Sequence, residues 1–212
     1  MKTFAIIALL AILSMNASAQ APVQASAAQQ KAMIEKIMNT ETSIKSIQCS
    51  FVQTKNLTML NDKMVSKGIM IYLKPNMLRW EYISPYKYLF IINGAKVLIK
   101  SGDKKSSIDV KSSKMFQEIT RIMMNSVTGK NLLSSSDFNV RMFTQKNYWI
   151  ADLTPKKKQM RSMFSSIKIY FDSSNSTVSQ IDMFEKSGDK TEIRLKNPQI
   201  NNRINEKLFD LD

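Results

Sequence analysis

Between positions 68 and 100 turn residues cut a largely apolar stretch into four short strands, one of which alternates apolar and polar residues with a period of two. Residues 68–73 form an apolar run stopped by Lys74-Pro75-Asn76, where proline has no N–H to give to a ladder. Leu78, Trp80 and Tyr82 then alternate with Arg79 and Glu81, one greasy face and one wet, until Ser84-Pro85 breaks the run. Residues 88–92 and 95–99 flank Asn93-Gly94, the dipeptide that best accepts the positive φ of a tight hairpin turn.

The same period marks an earlier strand, where Ile47, Cys49 and Phe51 alternate with Gln48 and Ser50, and later ones over 106–110, 138–143, 148–153, 161–171, 178–185 and 191–196. Positions 56–63 read as a polar loop. Twice the period changes. Residues 25–39 place Met33, Ile34, Ile37 and Met38 on one helical face. Met115, Phe116, Ile119, Ile122 and Met123 recur at helical spacing, with Gly129 as a stop. The tail from 200 carries Ile204, Leu208, Phe209 and Leu211, enough for a last packed segment. The pattern therefore predicts a mainly β fold of the α+β type, a single antiparallel sheet of eleven strands with two amphipathic helices. A sheet that long does not stay flat. It curls, and if it curls without closing, the helices are what is available to cover its concave face.

Composition changes the picture at the N-terminus. Lys2, an apolar run over 4–13 and Ala17-Ser18-Ala19 make an export signal with a small-residue cleavage site, so the chain divides into a signal peptide, 1–19, and a single domain, 20–212. No cysteine follows the cleavage site to carry a lipid, and the single cysteine, Cys49, has no partner for an internal disulfide. The product is expected to be exported and soluble. Its net charge is +14, or +13 once Lys2 is removed. Export sets nucleic acid aside as a partner, which leaves anionic lipid, an acidic protein, or simple solubilisation by lysine. With no histidine, His-dependent triads and His-ligated metal sites are excluded, and no P-loop, dinucleotide or nucleophile-elbow motif occurs. The residues imply no enzyme, no cofactor and no metal.

In order along the chain, Ser50-Phe51-Val52-Gln53, Gly68, Pro75-Asn76, Arg79-Trp80, Pro85, Asn93-Gly94 and Leu153-Thr154-Pro155-Lys156 resemble the periplasmic outer-membrane lipoprotein carriers of the LolA family. The resemblance implies an unclosed barrel with helices as a lid over an apolar cavity that holds acyl chains. Strand phase and the family's spacing then give Phe51, Met70, Tyr72, Leu78, Trp80, Tyr82, Leu89 and Ile91 as cavity wall, and Met115, Phe116, Ile119, Ile122 and Met123 as lid. Lys74 stands where the family has an arginine that latches the lid, and Arg79 lies near it, so both are latch candidates. Lys156, Lys157, Lys158 and Arg161 form the densest basic cluster, a candidate docking patch. The partners implied are acylated lipoproteins as cargo, an inner-membrane lipoprotein-releasing complex, and an outer-membrane receptor or anionic lipid, with the protein acting as a monomer. Two other readings of the same residues stand beside this one: an envelope lipid or lipoprotein sensor of the same fold, and an interaction module with a filled core.

Overall fold

The computed structural model describes residues 21–110, 114–128, 133 and 136–210; the expected signal segment lies outside the described residues. A two-residue strand, β1 (Val23–Gln24), precedes helix α1 (Ala27–Ser43). The hairpin β2 (Ser46–Leu57) and β3 (Asp62–Leu73) leads into the meander β4 (Met77–Ser84), β5 (Tyr88–Asn93), β6 (Lys96–Ser101) and β7 (Lys104–Asp109). Helix α2 (Lys114–Thr128) follows, then β8 (Phe138–Gln145), β9 (Tyr148–Pro155), the short α3 (Lys158–Met163), β10 (Phe164–Asp172), β11 (Val178–Glu185) and β12 (Lys190–Ile200).

All twelve strands belong to one antiparallel sheet in the order β1-β8-β9-β10-β11-β12-β2-β3-β4-β5-β6-β7. The long central pair is β12 and β2, which joins the two halves of the chain. β1 and β7 are the edges of an unclosed sheet.

The sequence pattern and the structure differ at four places, each for a local reason. The twelfth strand is Val23–Gln24, whose backbone pairs with Thr144 and Phe143 although it carries no strand pattern of its own. The expected loop over 56–63 shrinks to a turn at Thr58–Asn61, because the polar ends of β2 and β3 pair through Leu57 and Asp62, and a ladder needs no apolar face. The strand expected from 161 starts at Phe164, since Lys158–Met163 winds into α3 and buries Met160. Helix α1 begins at a capping box, with Ser26 Oγ accepting from Gln29 N at 3.3 Å and Gln29 Oε1 accepting from Ser26 N at 2.8 Å. It runs past Asn39 to Ser43 because its last carbonyls find donors: Lys74 Nζ donates to the oxygens of Glu41 (3.4 Å) and Thr42 (3.3 Å). A cation at that end also meets the negative pole of the helix.

The sheet has an apolar inner face and a divided outer face. On the outer side of β3–β6, Ile71, Ile91 and Leu98 form a small cluster sealed by Phe209 from the C-terminal segment. Asn93 Nδ2 donates to the Phe209 carbonyl at 3.3 Å and Arg79 to that of Leu208 at 3.0 Å, so the tail is strapped on. The outer side of β9–β12 is instead an ion-pair network. There Lys190 lies 2.9 Å from Asp182 and 3.4 Å from Glu192, and Arg194 lies 3.0 Å from Glu192.

Candidate functional site

Every second residue of β2–β6 points to one side, and the cross-strand register sets those residues in rows. Cys49 faces Met70, Met70 faces Trp80 and Trp80 faces Phe90. Cys49, Met70, Tyr72, Leu78, Trp80, Phe90, Ile92 and Val97 are all buried in a continuous apolar cluster. The other half of the sheet adds Phe138, Met142, Leu153, Ile167, Ile169 and Phe171 to the same cluster. Burial pushes the Cys49 thiol up to about 12, so this sulfur stays neutral, and burial with the nearby Glu41 charge pushes Tyr72 up to about 12.

An aromatic ladder runs through this interior. The Phe51 ring lies 4.4 Å from Trp80 and meets Tyr82 edge-on at 5.1 Å, and Tyr82 in turn meets Tyr88 at 5.9 Å. The Tyr82 hydroxyl donates to Gln53 Oε1 at 2.9 Å. Tyr82 and Tyr88 then line a cleft of about 270 Å³ at one end of the sheet, together with Ser66, Tyr86, Lys87 and Ser101. The ladder thus connects an opening at the rim with the floor of the interior. Phe51 fits because its cross-strand partner is Gly68: a Cβ there would meet the Phe51 ring at 2.6 Å.

Both helices lay apolar residues on this cluster. α1 contributes Met33 and Ile37, with Ile34 partly buried beside them. α2 contributes Val127, flanked by the partly buried Met123 and Met124. Thr120 shares their face by helical spacing and is 8% exposed, and its Oγ1 has no hydrogen-bond partner among the described residues. Arg121 of the same helix pairs with Asp137 at 2.7 Å, and Asp137 also holds Lys157 at 3.1 Å.

Of the residues expected in the wall, Phe51, Met70, Tyr72, Leu78, Trp80 and Tyr82 lie on the inner face. Leu89 and Ile91 do not. They lie on the outer side, where Ile91 is buried beneath Phe209 with Leu89 packed against that cluster. The turn between β4 and β5 pairs Tyr82 with Tyr88 and Trp80 with Phe90, so even-numbered positions face inward on both strands. Both phases of β5 are apolar because both of its faces are covered, and periodicity alone could not choose. Tyr88, Phe90 and Ile92 are the inward residues instead.

Among the lid residues, Met123 packs against the cluster, while the side chains of Met115, Phe116, Ile119 and Ile122 on α2 lie outside the described residues. The latch candidates separate. Lys74 reaches a helix, but it is the C-terminal end of α1, where it also lies 3.5 Å from the Glu41 carboxylate. Arg79 reaches neither helix: it is on the outer face, bound to Glu81 at 2.7 Å and to the tail. The alternation of β4 already turns it away from Trp80. Lys156, Lys157, Lys158 and Arg161 are all exposed at the α3 corner, with Lys157 committed to Asp137. The Arg121–Asp137 pair, which fixes α2, had no signal in the sequence, since it joins a helix to a turn through two ordinary charges.

A curled, unclosed antiparallel sheet whose apolar inner face is covered by amphipathic helices defines a class of β-rich binding folds built around an apolar interior. Within it, the family model described as outer membrane lipoprotein carrier protein LolA matches residues 42–212, and the chain belongs to that family. An outer-membrane lipoprotein carrier protein of Legionella pneumophila (strain Lens) is 23% identical over 174 residues, 81% of this chain and 83% of the relative. Among solved structures, an uncharacterized conserved protein from Thermus thermophilus superposes with a TM-score of 0.51 at 7% identity, covering 84% of this chain and 91% of that one. A LolA superfamily protein from Nitrosomonas europaea gives a TM-score of 0.45 at 8% identity, covering 85% and 97%. Among the described residues no helix is long and apolar enough to cross a membrane.

Proposed function

We propose that the mature chain, residues 20–212, is a non-enzymatic periplasmic carrier that takes the acyl chains of lipoproteins into its apolar interior and moves them from the inner to the outer membrane. The observation that carries this reading is the inner face: one apolar cluster that spans both halves of the sheet, with two helices lying on it and an aromatic ladder leading from it to a cleft at the rim. Acyl chains ask for little else. Each buried methylene contributes roughly 0.8 kcal/mol, so a chain of ordinary length binds without a single charged partner.

In this reading the empty protein is the packed state, and cargo displaces α1 and α2. Methionine at Met33, Met123 and Met124 suits surfaces that must repack, because its unbranched thioether adapts to irregular contacts. The buried hydroxyl of Thr120 supplies a donor for an ester or amide carbonyl of the cargo. Cargo would arrive from an inner-membrane lipoprotein-releasing complex and leave for an outer-membrane acceptor, the carrier acting as a monomer without a cofactor.

Mass spectrometry of the protein purified from its native periplasm tests the reading. A mature chain starting at Gln20, without a lipid of its own and with acylated polypeptide bound, is the expected result. Protein that consistently carries no acyl compound and takes up none from detergent-solubilised lipoprotein overturns it.

A further inference from the structure

We infer that one rim of the sheet, led by the tip of the β2–β3 hairpin, is a docking surface for an anionic lipid bilayer. Strand register brings five connections to that rim. β2 ends at Leu57 opposite Asp62, and β12 begins at Lys190 opposite Asn56. β4 ends at Ser84 opposite Lys67, and β5 begins at Tyr88, opposite the last residue of β6. β10 begins at Phe164, opposite the end of β11, directly after α3.

The β2–β3 tip reaches furthest. Its residues 62–66 have no partner in β4, so it projects roughly 16 Å beyond the end of β4 at about 3.3 Å per residue. At its end Met59 is 91% exposed and Leu60 72%, with Met64 and Val65 both 48% exposed on the arms behind them. Ile83 and Tyr86 on the neighbouring turn are also exposed. These are six of the ten large hydrophobics exposed among the described residues, gathered at one end of the molecule.

The tip is held in place. Thr58 N donates to Asp189 Oδ1 at 3.0 Å and Thr58 Oγ1 to the Gly188 carbonyl at 2.7 Å, so the β11–β12 turn braces it on one side. A braced turn that displays Met and Leu to water gains nothing for the fold. Around it stand the exposed cations Lys63, Lys67, Lys87, Lys104, Lys186 and Arg161, against the exposed acids Asp62 and Asp103. Two apolar side chains on a narrow convex tip, ringed by spread positive charge, suit a fluid apolar layer beneath anionic headgroups. They form no concave patch that would fit one protein surface. The rim cleft of Tyr82, Tyr86 and Tyr88 opens at this same end. Resting on the carrier reading, this would let an acyl chain pass between bilayer and interior without crossing water.

The test is flotation of the full mature protein with vesicles of phosphatidylethanolamine and phosphatidylglycerol, and with vesicles of phosphatidylcholine alone. Wild type is expected to float with the anionic vesicles. Met59→Asp with Leu60→Asp is expected to lower the bound fraction about tenfold or more at every salt concentration. Lys63→Gln with Lys67→Gln and Lys87→Gln is expected to lower it at low salt only, where charge attraction is unscreened. All five positions are exposed, so the variants should fold, and circular dichroism confirms that they do. Tip variants that float like wild type, or wild type that never floats with anionic vesicles, overturn the inference. Displacement of a fluorescent fatty acid in vesicle-free solution reports the interior separately. Loss of that signal with flotation intact sinks the carrier reading and leaves the docking surface standing; the reverse sinks only the docking surface.

Discussion

Arg121 on α2 and Asp137 just before β8 are 2.7 Å apart, and the same carboxylate lies 3.1 Å from Lys157 at the α3 corner. One acid thus ties the helix that covers the interior to the turn on which the sheet resumes. Its side chain is 13% exposed, between the regimes where ion pairs contribute almost nothing and where breaking one is severe. Asp137→Asn is expected to destabilise the protein by about 1–2 kcal/mol. It should also speed amide exchange in Lys114–Thr128 by about tenfold, more than in the sheet. Arg121→Lys, which keeps the charge and loses the planar fork, should fall between the two. Uniform exchange across the protein in Asp137→Asn would show that the pair does not hold the helix locally.

Gly68 and Phe51 make a second, tighter relationship. A Cβ at Gly68 would lie 2.6 Å from the Phe51 ring and closer still to the Glu81 carbonyl, so the position tolerates hydrogen alone. Gly68→Ala is expected to cost about 2–3 kcal/mol in denaturant unfolding, the usual penalty for overpacking a filled site. Phe51→Leu alone should also destabilise, by leaving space beside Trp80 and Tyr82. Combined, the two should cost somewhat less than their sum, because the smaller side chain relieves the contact with the ring while the closer one with the Glu81 carbonyl remains. Strict additivity would place the strain of Gly68→Ala on the Glu81 carbonyl instead.

What the sequence disclosed and what it withheld follow one physical line. Alternation such as Leu78-Trp80-Tyr82 is imposed by one dry face and one wet face, so it announced both the strand and its inward side. β5 withheld its inward side because Phe209, more than a hundred residues away in sequence, dries its outer face as well. α1 ran past its apparent stop because a lysine from another element caps its last carbonyls. The alternation of β4 already pointed Arg79 outward, but nothing local announced that Lys74 would reach Glu41 at the end of α1. Local periodicity was legible. Partners supplied by distant segments were not.

Cys49 gives a pH test of the packed interior. Burial raises its thiol to about 12, so the neutral form dominates at every pH below that. At about pH 8 only roughly one molecule in ten thousand carries a thiolate, against about a quarter for an unperturbed cysteine. A thiol-specific disulfide reagent is therefore expected to leave the native protein almost unmodified near pH 8 and to react rapidly once denaturant is added. If acyl cargo opens the interior, its addition should accelerate native labelling. Fast labelling of the cargo-free protein would mean that the interior is already open around Cys49 and Met70.

The decisive distinction between a filled core and a carrier interior lies in how charge is tolerated on the helix that covers it. Met123 is partly buried against the inner cluster, whereas Val127, one turn on, is 2% exposed within it. In a protein whose helix lifts to admit cargo, Met123→Asp keeps water within reach of the carboxylate in the packed state. It is then expected to lower the melting temperature modestly, by about 1 kcal/mol equivalent, and to weaken acyl-chain uptake by at least about tenfold, because the cargo-bound state would press that charge against hydrocarbon. Val127→Asp places the same charge where no water reaches and should unfold the protein outright, which controls for the severity of a truly buried site. Met123→Glu should resemble Met123→Asp, and Met123→Leu should keep both stability and uptake. Melting and uptake must be read on the same preparations. A Met123→Asp variant that loses several kcal/mol of stability while binding acyl chains in proportion to the folded fraction would assign α2 to an ordinary core and leave the interior without a cargo.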